Sequence, residues 1–183
     1  MKRLIVLSLL LALIGCRSMM APITHLRPDY SEFSPEAMQE IAREIEQAVQ
    51  NGDRDAKIAD RGGIVLSDDV RQAIRTRAAR RELLNELLNT GHSCEKKNGQ
   101  LYILRTNAYK KSGTSKQRDR NAFLVDNEAA DRWTMYEGIL EASKLPPKSL
   151  SAIQESFYAA RVACMTEGQK YEDASGAIVA KQK

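Results

Sequence analysis

Beyond residue 33, apolar residues recur at every third or fourth position, which is the spacing of a helix with one buried face. The first such segment opens with Ser34-Pro35-Glu36. Serine can cap a helix, proline fits its first position, and an acidic residue suits its first turn. The apolar stripe then comprises Met38, Ile41, Ile45, Ala48 and Val49, and Asn51-Gly52 ends it. We therefore predict an N-terminal helical segment within residues 34–61.

A second, longer helix is predicted after Ser67-Asp68-Asp69, with Gly91 placed to end it. Its apolar positions are Val70, Ala73, Ile74, Leu83, Leu84, Leu87 and Leu88. Its polar positions carry Arg71, Arg75, Arg77, Arg80 and Arg81. Such a run is most often a solvated face, and the alternative is a docking surface for an acidic partner or lipid headgroups. These five arginines are the candidate partner surface.

The last third of the chain is also predicted to be helical. One helix places Phe123, Asn127, Ala130, Trp133, Tyr136 and Leu140 on one face, and Pro146-Pro147 ends it. On this pattern Trp133 and Tyr136 belong to the core. A final helix starts near Ser149 to Ser151, carries Leu150, Ile153, Phe157, Ala160 and Cys164 at helical spacing, and stops at Gly168.

Signals for β-structure are few. Gln100 to Leu104 is the best strand candidate, because it follows the turn dipeptide Asn98-Gly99, and Ile64 to Leu66 is a brief β-like run. Lys110 to Arg120 is predicted to be a mobile, basic surface loop, and Tyr171 to Lys183 a loosely ordered tail. The predicted fold class is therefore mainly α, a small domain of about four helices with at most a short β-hairpin or strand pair.

The N-terminal residues have the pattern of a bacterial secretory signal. Lys2 and Arg3 precede an apolar run from Leu4 to Leu13, which is too short to span a membrane. Leu13-Ile14-Gly15-Cys16 then resembles a lipobox. The resemblance implies removal of residues 1–15, acylation of Cys16 and a tether over residues 16–33; the alternative is a secreted protein with a chance cysteine. Arg17, where an aspartate would resemble an inner-membrane retention signal, favours the outer membrane.

Composition and charge narrow the class of protein. The 183 residues suit one ordinary domain, and 28 Lys and Arg against 24 Asp and Glu give a net charge of +4, too little to indicate nucleic-acid binding. Loss of Lys2 and Arg3 with the signal peptide lowers the side-chain charge to +2. With 5% aromatic residues, the 43% hydrophobic content favours aliphatic helix packing.

Candidate chemistry is sparse. Cys94 and Cys164 are an even pair once Cys16 is acylated, so a disulfide is predicted for an oxidising compartment; the alternative is two separate thiols. His92 beside Cys94 lacks the further ligands that zinc requires and any recognisable activating base for a thiolate. Glu137 and Glu141 at helical spacing are interpreted as a solvated face rather than a glycosidase pair. We predict no catalytic residue, cofactor or metal.

Several landmarks resemble those of the YdbL family of small bacterial periplasmic proteins. Gly91, Glu95, Gly99 and Leu101 stand at the intervals of that family's Gly, Gly-Glu and Gly-Tyr-Leu segments, and Arg132 with Tyr136 matches its Asn-x-x-Arg-x-x-x-Tyr helix. Ser149, Gly168 and Tyr171 match its closing helix and tail. Cys94 and Ala129 replace the usual Gly and Asn. The resemblance spans about residues 69–178.

The resemblance implies a helical domain over residues 64–178, with a tail over 179–183, in a periplasmic accessory protein of an AsmA-like lipid-transfer machine. Joined to the lipobox, it predicts a lipid-anchored accessory or chaperone-like binding protein that assists envelope lipid transport or outer-membrane maintenance. Two alternatives stay open, a cell-wall-acting enzyme and a purely structural envelope lipoprotein.

Overall fold

A computed structural model describes residues 28–183. The signal peptide, Cys16 and the tether up to residue 27 lie outside the described residues. The described helices are α1 (Pro35–Gln50), α2 (Asp68–Asn89), α3 (Asn107–Lys111), α4 (Ser115–Ala142) and α5 (Leu150–Cys164), with a 3-10 turn at Pro147–Ser149. The strands are β1 (Ser93–Glu95), β2 (Leu101–Ile103), β3 (Lys170–Glu172) and β4 (Ile178–Ala180).

The starts of the first two helices are as predicted. Ser34 accepts a hydrogen bond from the Ala37 N–H at the start of α1, and Ser67 accepts one from the Val70 N–H at the start of α2. Each cap satisfies a backbone donor that has no partner within its helix. The mainly helical prediction is confirmed at this level.

The β-structure exceeds the prediction of a hairpin or strand pair. The four described strands form one sheet in the order β2-β1-β3-β4, in which β1 and β3 are parallel and the other neighbours antiparallel. The predicted loose tail supplies β3 and β4, and Gly176, with φ +85°, lies in the turn between them. Three-residue strands are too short for an alternating apolar pattern to register, so the sequence signal was weak.

The basic segment Lys110 to Arg120 is also more ordered than predicted. Thr106 caps α3 and Thr114 caps α4, each through its hydroxyl, and Ser112 and Gly113 separate the two helices. The prediction of a mobile loop is wrong because the Lys- and Arg-rich composition hid two caps that start helices. The segment therefore presents its positive charges on helices.

The main core lies where α1, α2, α4 and α5 meet. Its most deeply buried side chains include Met38, Ile41, Ile45, Ile64, Val70, Met135, Ile139, Ile153 and Phe157. α1 packs chiefly on α5 and therefore shares this core with the later helices. A smaller cluster of Leu84, Leu87, Leu88, Leu101 and Val125 joins α2 to the sheet and the first half of α4.

The buried face of α4 differs from the predicted one. Phe123 is 70% exposed and Trp133 41% exposed, whereas the buried residues are Val125, Glu128, Arg132, Met135, Tyr136 and Ile139. Two of these six are charged. An apolar stripe search does not count charged residues, so it selected a neighbouring face of the helix.

Candidate functional site

Six charged side chains lie inside the protein: Arg77, Arg132, Arg161, Glu46, Glu95 and Glu128, each no more than 5% exposed. They come from α1, α2, β1, α4 and α5. Positive and negative charges are equal in number. Residues of this kind are almost never fully buried unless they are paired.

The six side chains form a closed ring of alternating charge. Arg77 contacts Glu46 at 2.8 Å and Glu128 at 2.9 Å. Arg132 contacts Glu128 at 2.8 Å and Glu95 at 2.7 Å. Arg161 closes the ring, with Glu95 at 3.1 Å and Glu46 at 3.3 Å. We call this set the charge ring.

The charge ring is also tied to neighbouring polar groups. Arg161 donates to the Tyr136 hydroxyl at 2.9 Å, and that hydroxyl donates to the Gly99 carbonyl. Gly99, with φ +82°, lies so close to the Tyr136 ring that a Cβ would stand 3.0 Å from it. Position 99 therefore requires glycine for two reasons, the positive φ of the turn and the close contact with the phenol ring of Tyr136.

The surroundings keep the carboxylates ionised. Burial alone would raise the pKa of Glu128, but the Arg77 and Arg132 guanidiniums outweigh it and lower the pKa to about 2. Burial opposes ionisation of Glu95 in the same way, and Arg132 with Arg161 holds its pKa below the ordinary value. Groups with such low pKa values are poor proton carriers near neutral pH. The charge ring is therefore built to hold five elements together.

The five arginines of the candidate partner surface do not share a face. Arg77 is 1% exposed and belongs to the charge ring, so its assignment to a surface is wrong. Arg80 is half-buried between Glu128 and Asp131, and Arg71 donates to the Ile58 carbonyl and to Asp60. Arg75 is exposed and Arg81 half-buried. At about 100° per residue these positions spread round more than half of the helix.

The predicted disulfide is absent from the described residues: Cys94 and Cys164 are both free. Successive side chains of a strand point to opposite faces. Glu95 reaches the charge ring and lines the same small cavity as Cys164, so its neighbour Cys94 faces the other way. Burial raises the pKa of both thiols, which makes them poor nucleophiles.

A trough on the surface of the protein is more apolar than a groove of about 450 Å³ that Arg54, Arg71 and Arg75 help to line. Its apolar end is a groove of about 410 Å³ between the second half of α2 and the first half of α4. The apolar side chains that line it are Leu83, Leu87, Phe123 and Leu124. Leu83 is 39% exposed and Phe123 70% exposed. This volume lies within the range of ligand pockets.

The other end of the trough is polar. A cavity of about 220 Å³ adjoins the groove and is lined by His92, Tyr109, Ser112, Gly113 and Arg118. The groove and the cavity share Thr90, Gln117 and Asn121, so they are continuous. His92, considered in the sequence for metal or thiol chemistry, packs edge-on against Tyr109 at 5.6 Å between ring centroids. We call the whole feature the trough.

Metal and membrane-spanning features are lacking in the described part of the chain. No group of three or more His, Cys, Asp or Glu residues there is placed to hold a metal ion. Among residues 28–183, no helix combines the length and apolar character needed to cross a membrane. Glu137 and Glu141 are both exposed. Of the residues considered for metal, thiol or acid chemistry, His92 lines the trough, and Arg80 of the candidate partner surface lines its groove end.

The apolar pattern of the sequence does not distinguish the residues of the trough from those of the core. Phe123 and Leu83 were both assigned to core faces, and their exposure is what distinguishes the trough from the core.

Comparisons with protein-family models, with curated proteins and with solved structures find no match to this chain.

Proposed function

We propose that the protein is a lipid-anchored accessory of the bacterial envelope that acts by binding, with the trough as its binding site. The observation that carries the proposal is the exposed apolar end of the trough. Contiguous exposed apolar surface is typical of interaction sites. The lipobox-like Cys16 and the landmarks of the YdbL family support an envelope location and a role beside an AsmA-like lipid-transfer machine.

The placement of the trough suits a partner away from the anchoring membrane. The residues that follow the tether pack beside the start of α5, where the Tyr30 and Ser156 hydroxyls are 3.3 Å apart and Lys148 contacts Glu32 at 2.8 Å. The trough lies near the other end of α4. From Phe123 to Ala142 that helix rises roughly 30 Å at about 1.5 Å per residue. An anchor at one end leaves the trough free at the other.

The charge ring argues against the enzyme alternative as the first choice. Its carboxylates are saturated by guanidiniums and buried, so they do not reach a substrate. A binding role requires only the surface that the trough provides. The proposed protein therefore contributes recognition, and any chemistry belongs to the machine that it assists.

In-cell photocrosslinking tests the proposal. A photoreactive amino acid replaces Phe123 in the full-length, lipidated protein, and a matched variant carries it at Trp133, an exposed aromatic on the same helix. We expect Phe123, and not Trp133, to capture one envelope membrane protein. Capture of that protein should fall at least about tenfold when Leu83→Ser is added.

Two results would contradict the proposal. The first is an equal yield of the same product from Phe123 and Trp133, which would place the interaction outside the trough. The second is recovery of murein alone, which would favour a structural or cell-wall role. Full membrane retention of each variant, checked by fractionation, ensures that a lost product does not reflect a lost protein.

A further inference from the structure

The two ends of the trough differ in chemistry. The groove end exposes leucine and phenylalanine side chains and is also lined by Arg80, Glu86 and Arg120. The cavity end carries Arg118, His92 and the Tyr109 phenol and, among the described residues, no carboxylate. An elongated site that is mainly apolar at one end and polar, with an arginine and no acid, at the other matches a ligand with the same division.

A buried hydroxyl marks the cavity end as a site for a polar group. Tyr109 is 6% exposed, and its hydroxyl has no hydrogen-bond partner among the described residues. A buried, unpaired hydroxyl is costly, and each such group in a folded protein calls for an explanation. A ligand atom that accepts a hydrogen bond would satisfy it.

The charge around this end favours an anion. The segment from Arg105 to Arg120 carries six basic residues and one acid, Asp119. Gln117, in the first turn of the 28-residue helix α4, and Gly113, just before the cap residue Thr114, line the cavity. The Gln117 N–H donates to the Thr114 hydroxyl, so the helix contributes the partial positive charge of its N-terminus rather than that N–H.

We propose that the trough binds a single-chain amphiphile with an anionic head, and this inference rests on the proposed function. The acyl chain lies along Leu83, Leu87 and Leu124, with Phe123 at the rim. The carboxylate or phosphate head lies at the cavity end and accepts a hydrogen bond from Arg118, whose Nη1 also donates to the Lys110 and Gly113 carbonyls. A turn of the buried Tyr109 side chain toward the cavity would let its hydroxyl donate to the same head. The protein would then present such a molecule to the partner that contacts Phe123.

Binding of defined probes to the purified protein lacking only its lipid anchor tests this inference. Dodecanoate and dodecyl phosphate, below their micelle concentrations, are compared with dodecanol and with inorganic phosphate by calorimetry. We expect both anionic amphiphiles to bind at least about tenfold more tightly than dodecanol, and inorganic phosphate not to bind measurably. Equal binding of dodecanol would overturn the assignment of the head, and tight binding of phosphate alone would overturn that of the chain.

Matched variants locate the bound probe. Leu83→Ser, at the acyl chain, and Arg118→Gln, at the head, should each weaken dodecanoate binding by about fivefold or more. Val65→Ser, at a residue 38% exposed against 39% for Leu83, and Arg43→Gln should leave binding unchanged. Equal losses in the controls would overturn the location. Leu83, Val65 and Arg43 are exposed, whereas Arg118 is half-buried and donates to the Lys110 and Gly113 carbonyls. A weaker affinity of Arg118→Gln therefore counts only if its midpoint of urea unfolding equals that of wild type.

Tyr109→Phe separates a ligand contact from a structural one. Because the hydroxyl has no hydrogen-bond partner within residues 28–183, its removal should leave the midpoint of urea unfolding of the free protein unchanged or slightly raised. Dodecanoate binding should nevertheless weaken. Unaltered affinity would overturn the role of Tyr109.

The inference and the proposed function can fail separately. If no amphiphile binds while Phe123 still captures an envelope protein, the trough is a protein-docking surface and the amphiphile inference is wrong. If dodecanoate binds as expected while Phe123 captures nothing, the ligand assignment stands and the partner role fails. Displacement of bound dodecanoate by an acidic helical peptide at lower concentration would likewise overturn the amphiphile in favour of a peptide.

Discussion

Arg132 is the residue on which the interior depends most directly. It contacts Glu95 through two of its nitrogens and Glu128 through a third, and it also donates to the Gly99 carbonyl. All of these contacts are buried. Removing one partner of a buried pair leaves the other charge with neither water nor a counter-ion.

In Arg132→Met, Glu95 keeps Arg161 and Glu128 keeps Arg77, but the charge ring then has one carboxylate in excess, so the variant should be destabilised by about 3–5 kcal/mol. Urea unfolding followed by circular dichroism measures the change. Arg43→Met is the control, since Arg43 is exposed on α1 and should change the free energy of unfolding by less than about 0.5 kcal/mol. Similar losses in both variants would mean that the charge ring contributes nothing beyond side-chain packing.

At the residue scale, the sequence identified landmarks but not their environment. Glu95, Arg132 and Tyr136 were singled out because they match a family pattern, and the structure brings all three together around Gly99. Arg77 was assigned to a surface because a single arginine carries no signal of burial. Pairing across 31 and 51 residues of sequence is a long-range property that local periodicity does not contain.

Helix packing at the element scale depends on one glycine. A Cβ at Gly138 of α4 would stand 2.6 Å from a methyl carbon of Val70 on α2. Val70 is fully buried and, being β-branched, has little rotamer freedom in a helix. The two helices therefore approach closely only because position 138 has no side chain.

Gly138→Ala should be destabilising, although alanine is the better helix former by about 1 kcal/mol. The overlap with Val70 costs typically about 1–3 kcal/mol and should outweigh that gain. A double-mutant cycle of urea unfolding measures the coupling. Gly138→Ala should lower the free energy of unfolding less in the Val70→Ala background than in wild type. A single Gly138→Ala variant more stable than wild type would contradict the close approach of α2 and α4.

Elements were predictable where their caps and apolar stripes agree. The starts of α1 and α2 follow from Ser34 and Ser67. The threonine caps before α3 and α4 were overlooked because the adjoining residues are polar. β3 pairs with β1, whose partner residues lie 170 − 94 = 76 positions earlier in the chain, and β4 pairs with β3, so a local pattern predicts β3 poorly.

For the molecule as a whole, the charge ring makes the free energy of unfolding depend on pH below about pH 4.5. Because the pKa values of Glu95 and Glu128 are lowered on folding, the folded state binds fewer protons than the unfolded state below the ordinary glutamate value of 4.5. The stabilisation is fully present above that value. It is lost as the pH falls toward about 2, the pKa of Glu128.

The free energy of unfolding should accordingly fall steeply between pH 4.5 and about pH 2. Acid unfolding should be a single cooperative transition that includes the sheet. Glu128→Gln should be less stable at pH 7 and show a shallower fall below pH 4.5, whereas Glu141→Gln, at an exposed position, should keep the wild-type slope. Urea midpoints measured across this range give the slopes. Identical slopes in wild type and Glu128→Gln would show that the ring does not determine acid stability.

At this scale the mainly α fold class was accessible from sequence and the trough, our proposed binding site, was not. Helical periodicity indicated the mainly α architecture, and 57% of the structure is helical. The trough lies between side chains of α2 and α4 that are brought together across about 40 residues of sequence. Phe123 has the same local pattern whether it faces the core or solvent.

The closed ring also constrains how the sequence can change over time. Each of its six members serves two neighbours of opposite charge. A charge reversal or loss at one position disturbs the pairing of two others. Substitutions in the charge ring should therefore be tolerated in evolution when they occur in pairs or larger groups, and not singly. In any set of relatives that keeps this interior, Glu95 and Arg132 should be retained or exchanged together, and such linked variation would identify the family where overall similarity has faded.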